Sequence, residues 1–197
     1  MTKENRTPIV AIVGKRGNGK TLLMNYFILN DILEGMSVWA NYHITPENLG
    51  TAYEKYSLQC ARMTKEFLES FFVTKGEAFL KVNGGVLAID ELSTFADSYT
   101  SQGKNRLFII FLLQTRKRNV KFYYTVQQFA QAQKRIRENT DLIVHPYYDK
   151  AKDEIIYDIF SYNYPVKEYI ATKRISNISR YFPLYDTNEI IDIMGED

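Results

Sequence analysis

The 197-residue chain predicts an α/β fold, a central and mostly parallel β-sheet flanked by helices. Three observations predict it. Short apolar, β-branched segments alternate with longer stretches of helical periodicity, the pattern of strand–helix–strand units. The stretch Gly14 to Thr21, GKRGNGKT, fits G-x-x-x-x-G-K-[ST] and lies between one such strand and one such helix. A second apolar strand, Val86-Leu87-Ala88-Ile89, ends in the acids Asp90-Glu91.

In chain order, the first strand is expected at Ile9 to Val13 and the first helix from Lys20 to Ile32, stopped near Glu34-Gly35 by a glycine end signal. A short strand at Ser37 to Ala40 runs into Asn41-Tyr42. Residues 44–60 have little periodicity, and Thr45-Pro46-Glu47-Asn48 reads as a turn or helix start. A cap-like Thr64 opens a helical pattern to Phe72. Gly85 to Ile89 is the third strand, the apolar run Leu107 to Leu113 a helix, and Val120 to Val126 the fourth strand. A helix over Phe129 to Arg137 and a fifth strand at Asp141 to His145 complete the core. Beyond Pro146, Glu154 to Phe160 and Val166 to Ala171 read as a β-hairpin around Ser161 to Pro165. With no linker, repeat or low-complexity segment, one domain over residues 1–197 is expected, its core at about 8–147 and the hairpin in a C-terminal appendage at about 148–197.

Composition narrows the class. Hydrophobic content is 45%, enough for a sizeable core. No apolar run approaches the roughly 20 residues that span a bilayer, and MTKENRTP lacks the apolar centre of a signal peptide. Cys60 is the single cysteine, which excludes a disulfide framework and a cysteine-based zinc site. His43 and His145 are read as structural. These features suit a reducing cytoplasm. A net charge of +2 says little about a polyanionic partner; the local runs Arg116-Lys117-Arg118 and Lys134-Arg135-Ile136-Arg137 say more. The 15 Tyr and 12 Phe are assigned mostly to core and strands.

The motifs carry the chemistry. Gly14, Gly17 and Gly19 let the backbone curl so that its N–H groups, from Gly14, Lys15, Arg16, Gly17, Asn18 and Gly19 into the helix, face phosphate oxygens. The helix N-terminus adds its dipole. Lys20 reaches the β- and γ-phosphates of ATP, and the Thr21 hydroxyl holds Mg²⁺. Asp90, at the end of a buried strand beside this loop, is the second expected metal partner. Glu91 next to it can polarise a water for attack on the γ-phosphate, which is hydrolysis rather than transfer to a small acceptor. Gln127 follows the fourth strand, where the carboxyl ends of strands line the ligand crevice, and its amide can sense both γ-phosphate and attacking water.

Together GKRGNGKT, VLAIDE and the stretch from Arg116-Lys117-Arg118-Asn119-Val120 to Gln127, followed by Lys134-Arg135-Ile136-Arg137, resemble the FtsK–HerA superfamily of P-loop ATPases over roughly residues 8–147. Within it the chain is most similar to the small genome-packaging ATPases of archaeal and membrane-containing viruses and to the Zot-like ATPases of filamentous phages. Val38-Trp39-Ala40-Asn41-Tyr42 and, less specifically, Tyr185-Asp186-Thr187-Asn188-Glu189 add to the likeness. The resemblance implies a RecA-like P-loop NTPase core in a homo-oligomeric ring, commonly a hexamer, that threads double-stranded DNA. It implies work in the host cytoplasm or on the virion, with capsid or membrane vertex proteins as further partners. The chain departs from many Zot-like proteins and from FtsK in lacking a membrane segment. Ring ATPases commonly supply an arginine from a neighbouring subunit to the γ-phosphate. Arg118, just before the fourth strand, is the expected finger, with Arg116 and Arg137 as alternatives and Lys15 and Arg16 acting in cis. Lys104, Lys134 and Arg135 are candidate contacts to DNA phosphates. Two other readings stay open: a small-molecule kinase, which Glu91 beside Asp90 disfavours, and a Zot-like ATPase of virion assembly or extrusion.

Overall fold

The computed structural model describes residues 7–64, 66–68, 82–94 and 106–189. Its strands are β1 (Ile9–Val13), β2 (Val38–Ala40), β3 (Cys60–Arg62), β4 (Gly85–Ile89), β5 (Val120–Val126), β6 (Leu142–Asp149), β7 (Glu154–Asn163) and β8 (Val166–Ser176); it has the α-helices α1 (Lys20–Leu33), α2 (Arg106–Gln114) and α3 (Lys134–Glu138). All eight strands join in one sheet of order β3-β2-β4-β5-β1-β6-β7-β8. The pairings from β3 through β6 are parallel, and β6–β7 and β7–β8 are antiparallel. This is the α/β fold of P-loop NTPases, with the expected C-terminal hairpin attached edge-on to the sheet.

β1 lies at the centre and every residue of it is buried. Alternate side chains leave a strand on opposite faces. Ile9, Ala11 and Val13 therefore pack with Phe108 and Phe111 of α2 and Ile136 of α3. Val10 and Ile12 pack with Leu22, Leu23, Ile28 and Ile32 of α1 on the other face. That second face is completed by the C-terminal segment, whose 3-10 helix Ile178–Leu184 buries Ile178, Tyr181 and Leu184 against the same cluster. At its far end α1 is tied to β5: Asp31 accepts a 2.7 Å bond from the Tyr123 hydroxyl and an ion pair from Lys121. Gly85 opens β4 at φ 101 where a Cβ would stand 2.2 Å from the Ser37 carbonyl oxygen, so only glycine lets β4 start beside β2.

Several expectations are corrected. Residues 44–60 form two 3-10 helices, Pro46–Leu49 and Thr51–Gln59, and then the unforeseen β3, three residues of which only Cys60 faces a core. The helix expected over Phe129 to Arg137 is two pieces. A 3-10 turn at Phe129–Gln131 is closed by reciprocal Gln128 and Gln131 caps, Ala132 is extended (φ −67, ψ 140), and α3 starts only at Lys134. β6 runs through Pro146 to Asp149 instead of ending at His145. Its pairing to β1 stops at Val144, so the missing proline N–H is not wanted on that side. The hairpin strands are 10 and 11 residues long, longer than their apolar runs. The Thr64 cap is present, with its Oγ1 accepting from the Phe67 N–H at 3.3 Å and residues 66–68 helical; residues 69–72 lie outside the described residues, as does Lys104.

Candidate active site

Gly14 to Thr21 turns from the end of β1 into α1. Its root is held by the Gly14 N–H donating to Val126 O at 3.2 Å, and its crown by the Asn18 N–H donating to Lys15 O at 3.2 Å. Gly19 has φ 81, and a Cβ there would meet Ile155 Cδ1 at 2.7 Å and Tyr148 Cβ at 3.1 Å. The backbone conformation demands glycine, and a Cβ would also press on Ile155 and Tyr148. Lys20 folds back so that Nζ donates to Lys15 O at 3.3 Å. Burial pushes the Lys20 ammonium pKa down, while the carboxylates of Asp90 and Glu91 oppose the shift. Lys15, Arg16 and Gly17 are exposed at the loop's crest.

β5 stands between β1 and β4, and its Thr125 fills the gap. Asp90 accepts from Thr21 Oγ1 at 2.9 Å on one carboxylate oxygen and from Thr125 Oγ1 on the other. The side chain is 9% exposed. Burial raises its pKa; the bonds from Thr125 and Thr21 counter this, Glu91 adds to it and Lys20 lowers it. Glu91 is in the left-handed region at φ 51, a conformation costing a non-glycine residue on the order of 1–2 kcal/mol. It is held there by its N–H donating to Thr125 Oγ1 at 2.9 Å and its carbonyl accepting from Thr94 Oγ1 at 2.7 Å. The result is two neighbouring carboxylates with different surroundings. Asp90 is buried and saturated with hydroxyl donors, whereas Glu91 is exposed.

Sequence reasoning missed four residues. Asn41, 2% exposed at the end of β2, clamps the main chain of Asp90: its Nδ2 donates to Asp90 O at 2.9 Å and its Oδ1 accepts from the Asp90 N–H at 2.8 Å. The next residue, Tyr42, donates to Asn25 Oδ1 at 3.2 Å, and Asn25 Nδ2 donates to Thr21 O at 2.9 Å. Thr21, Asp90, Asn41, Tyr42 and Asn25 thus form a closed circuit around the corner between α1 and β4, with Thr125 bracing it. The available signal was a polar residue at the carboxyl end of a strand in an open α/β sheet. An Asn41→Ala chain leaves the Asp90 N–H and C=O buried without partners, at about 1–3 kcal/mol for each unsatisfied group. The denaturant midpoint is expected to fall accordingly, and an unchanged midpoint would show that water replaces the clamp.

The family model for zonular occludens toxin (Zot) matches residues 8–187. The chain belongs to the Zot family. Its fold is similar to that of the DNA-packaging ATPase B204 from Sulfolobus turreted icosahedral virus, with TM-score 0.57, 18% identity, and 85% of this chain and 98% of that one covered. It is also similar to the N-terminal domain of zonular occludens toxin from Neisseria meningitidis, with TM-score 0.54, 14% identity and coverage of 92% and 100%. A third likeness is to the flagellar accessory protein FlaH from Methanocaldococcus jannaschii, with TM-score 0.56, 13% identity and coverage of 86% and 85%. No curated protein matches the chain.

In this Zot-family chain the remaining candidates divide into near and far. Gln127 is exposed directly after Val126, the residue that anchors Gly14, so it stands beside the loop. Gln128 instead caps the following 3-10 turn. Arg118 is at the opposite end of β5, with its carbonyl accepting from the Gly84 N–H at 2.8 Å and its Nε and Nη2 donating to Gln114 Oε1 at 3.0 and 2.9 Å. The seven-residue strand between Arg118 and Gln127 spans about 23 Å, so Arg118 does not reach its own loop. Arg116 is exposed at the same end, and Arg137 donates to Ala130 O at 3.0 Å. Lys134 and Arg135 are exposed on α3, Lys134 within 3.7 Å of Glu138. His145 donates to Val13 O at 3.1 Å, and His43 pairs with Glu189 at 3.0 Å. Among the described residues no group of three or more His, Cys, Asp or Glu could hold a metal, and no helix is long and apolar enough to cross a membrane. The Thr21 hydroxyl and Asp90 carboxylate, both hard oxygen donors 2.9 Å apart, suit Mg²⁺, which keeps most of its shell for water and phosphate oxygens.

Proposed function

We propose that this chain is a Mg²⁺-dependent ATPase that drives double-stranded DNA through a homo-oligomeric ring, in packaging a viral genome. The observation that carries the hydrolase part of this reading is the Asp90–Glu91 pair, one acid bonded to Thr21 and the other exposed beside the loop in an enforced backbone conformation. Backbone N–H groups of Gly14 to Thr21 and the Lys20 ammonium hold the phosphate chain. Thr21 and Asp90 would hold Mg²⁺, which would supply positive charge to the phosphate chain. Glu91 orients and deprotonates the attacking water, and Gln127 reports whether the γ-phosphate is in place. The likeness to a protein described as the DNA-packaging ATPase of an archaeal virus, and to a related genome-packaging NTPase solved with ATP-γS, supports the choice of nucleotide and of DNA. Lys134 and Arg135 are the candidate phosphate contacts, reading charge rather than sequence. The host cytoplasm or the virion is the proposed location. Membership of the Zot family favours one second reading, an ATPase of virion assembly or extrusion.

Turnover measured with and without double-stranded DNA separates these. DNA-stimulated ATP hydrolysis supports the motor, and DNA-independent hydrolysis the assembly role. Turnover only with a small acceptor would make the chain a kinase. DNA affinity is expected to fall by a log–log salt slope of about −0.9 per phosphate contacted; affinity indifferent to salt would remove the electrostatic interface.

A further inference from the structure

We infer that the surface where the β6–β7 turn meets the C-terminal segment is the seat of the nucleotide's aromatic base, with Tyr148 and Phe182 as its stacking pair. The inference rests on the phosphate-loop reading above and adds to it a base-recognition site. The direction of the phosphate chain follows from sheet order. Lys20, Asp90, Glu91 and Gln127 gather on the β4–β5 side of β1, which makes that the γ-phosphate side. The nucleoside end must leave the loop towards the other neighbour of β1, which is β6, with β7 beyond it.

On that side the start of α1 abuts two residues, Tyr148 near the end of β6 and Ile155 at the start of β7, which a Cβ added at Gly19 would meet at 3.1 and 2.7 Å. The Tyr148 ring meets Phe182 edge-on, with centroids 6.0 Å apart and planes at 80°. An edge-to-face pair leaves ring surface open for a third aromatic group. Phe182 is 36% exposed although its neighbours Tyr181 and Leu184 are buried. An apolar ring left partly in water next to a phosphate-binding loop is what a flat heteroaromatic base would cover.

The pair is also held in place. The Asp153 carboxylate in the β6–β7 turn accepts from the Ser179 N–H at 2.9 Å and from Ser179 Oγ at 2.7 Å, and its carbonyl accepts from the Ile178 N–H at 3.2 Å. The turn carrying Tyr148 and the segment carrying Phe182 are thereby one frame, set before ligand arrives. Farther along the same segment Tyr185 packs on Tyr42, ring centroids 6.4 Å apart, which joins the frame to the Asp90 corner.

The test compares ATP with inorganic tripolyphosphate, which has the phosphates and no base, by calorimetric titration of the full chain with Mg²⁺. For Tyr148→Ala and Phe182→Ala, ATP affinity is expected to fall roughly tenfold or more, the range for loss of one base–aromatic stack, while tripolyphosphate affinity is unchanged. Tyr148→Phe keeps the ring and is expected to bind ATP normally. Because Phe182 is partly exposed, its variant reports even if Tyr148→Ala does not fold. Equal losses for both ligands, or no loss for either, overturn the base site and leave the loop standing. If neither ligand binds the unsubstituted chain, the phosphate-site reading falls and takes the base site with it.

Discussion

A Glu91→Gln chain is expected to bind ATP as tightly as the unsubstituted protein and to hydrolyse it about 10²–10⁴-fold more slowly, the usual contribution of a positioned general base. The substitution is nearly isosteric and the side chain is exposed. The Glu91 main chain keeps its bonds to Thr125 and Thr94, so folding is left intact and only the basic oxygen is lost. Lys20→Ala is expected to behave differently, with nucleotide affinity and turnover falling together, because the ammonium faces the β- and γ-phosphates in ground and transition states alike. It also removes the cation that opposes the upward shift of the Asp90 pKa. Binding measured by titration and turnover by phosphate release distinguish the two variants. Normal hydrolysis by Glu91→Gln would show that another group activates the water.

An Arg118→Ala chain is expected to bind ATP and be inactive alone, yet to regain activity when mixed with a Lys20→Ala chain. An arginine meeting the γ-phosphate from outside is worth about 10³–10⁵ in rate. Arg118 is too far along β5 to serve its own loop, so any γ-phosphate it met would be a neighbouring subunit's. In a mixed ring one interface pairs an intact loop with an intact arginine, while pure rings of either variant have none. The guanidinium is already oriented by Gln114, at 2.9 and 3.0 Å, so Gln114→Ala should weaken the effect without abolishing it. Full activity of Arg118→Ala alone, or no recovery in mixed oligomers that assemble, removes Arg118 from the site.

What could be read from the residues alone follows their physics. β1 and β4 are continuous apolar runs because they are buried on both faces of a parallel sheet, and β5 departs from this at Lys121 and Thr125, each bonded to a carboxylate. The loop announces itself because phosphate binding needs glycines at fixed offsets. Such signals are local. β3 was invisible because its pairing to β2 is made by main-chain groups, with Ala61 and Arg62 exposed. The break at Ala132 was invisible because it depends on a glutamine cap reaching across the preceding turn. Asn41 was invisible as a site residue because its meaning lies 49 positions away, in the main chain of Asp90. Pro146 misled, since a proline ends most strands and here sits where one neighbour has already fallen away.

The hydrogen-bonded circuit through Thr21, Asp90, Asn41, Tyr42 and Asn25 would limit how a motor of the proposed kind could move. A device that converts hydrolysis into displacement needs one part that holds still and another that travels. The circuit welds the first turn of α1 to the tips of β2 and β4, so these three cannot separate without breaking several buried bonds at once. In the proposed motor, that corner would be the stator. Travel would be left to groups outside the weld: the Glu91 carboxylate, the amide of Gln127, and, through β5, the arginine-bearing end that faces away from the subunit's own loop.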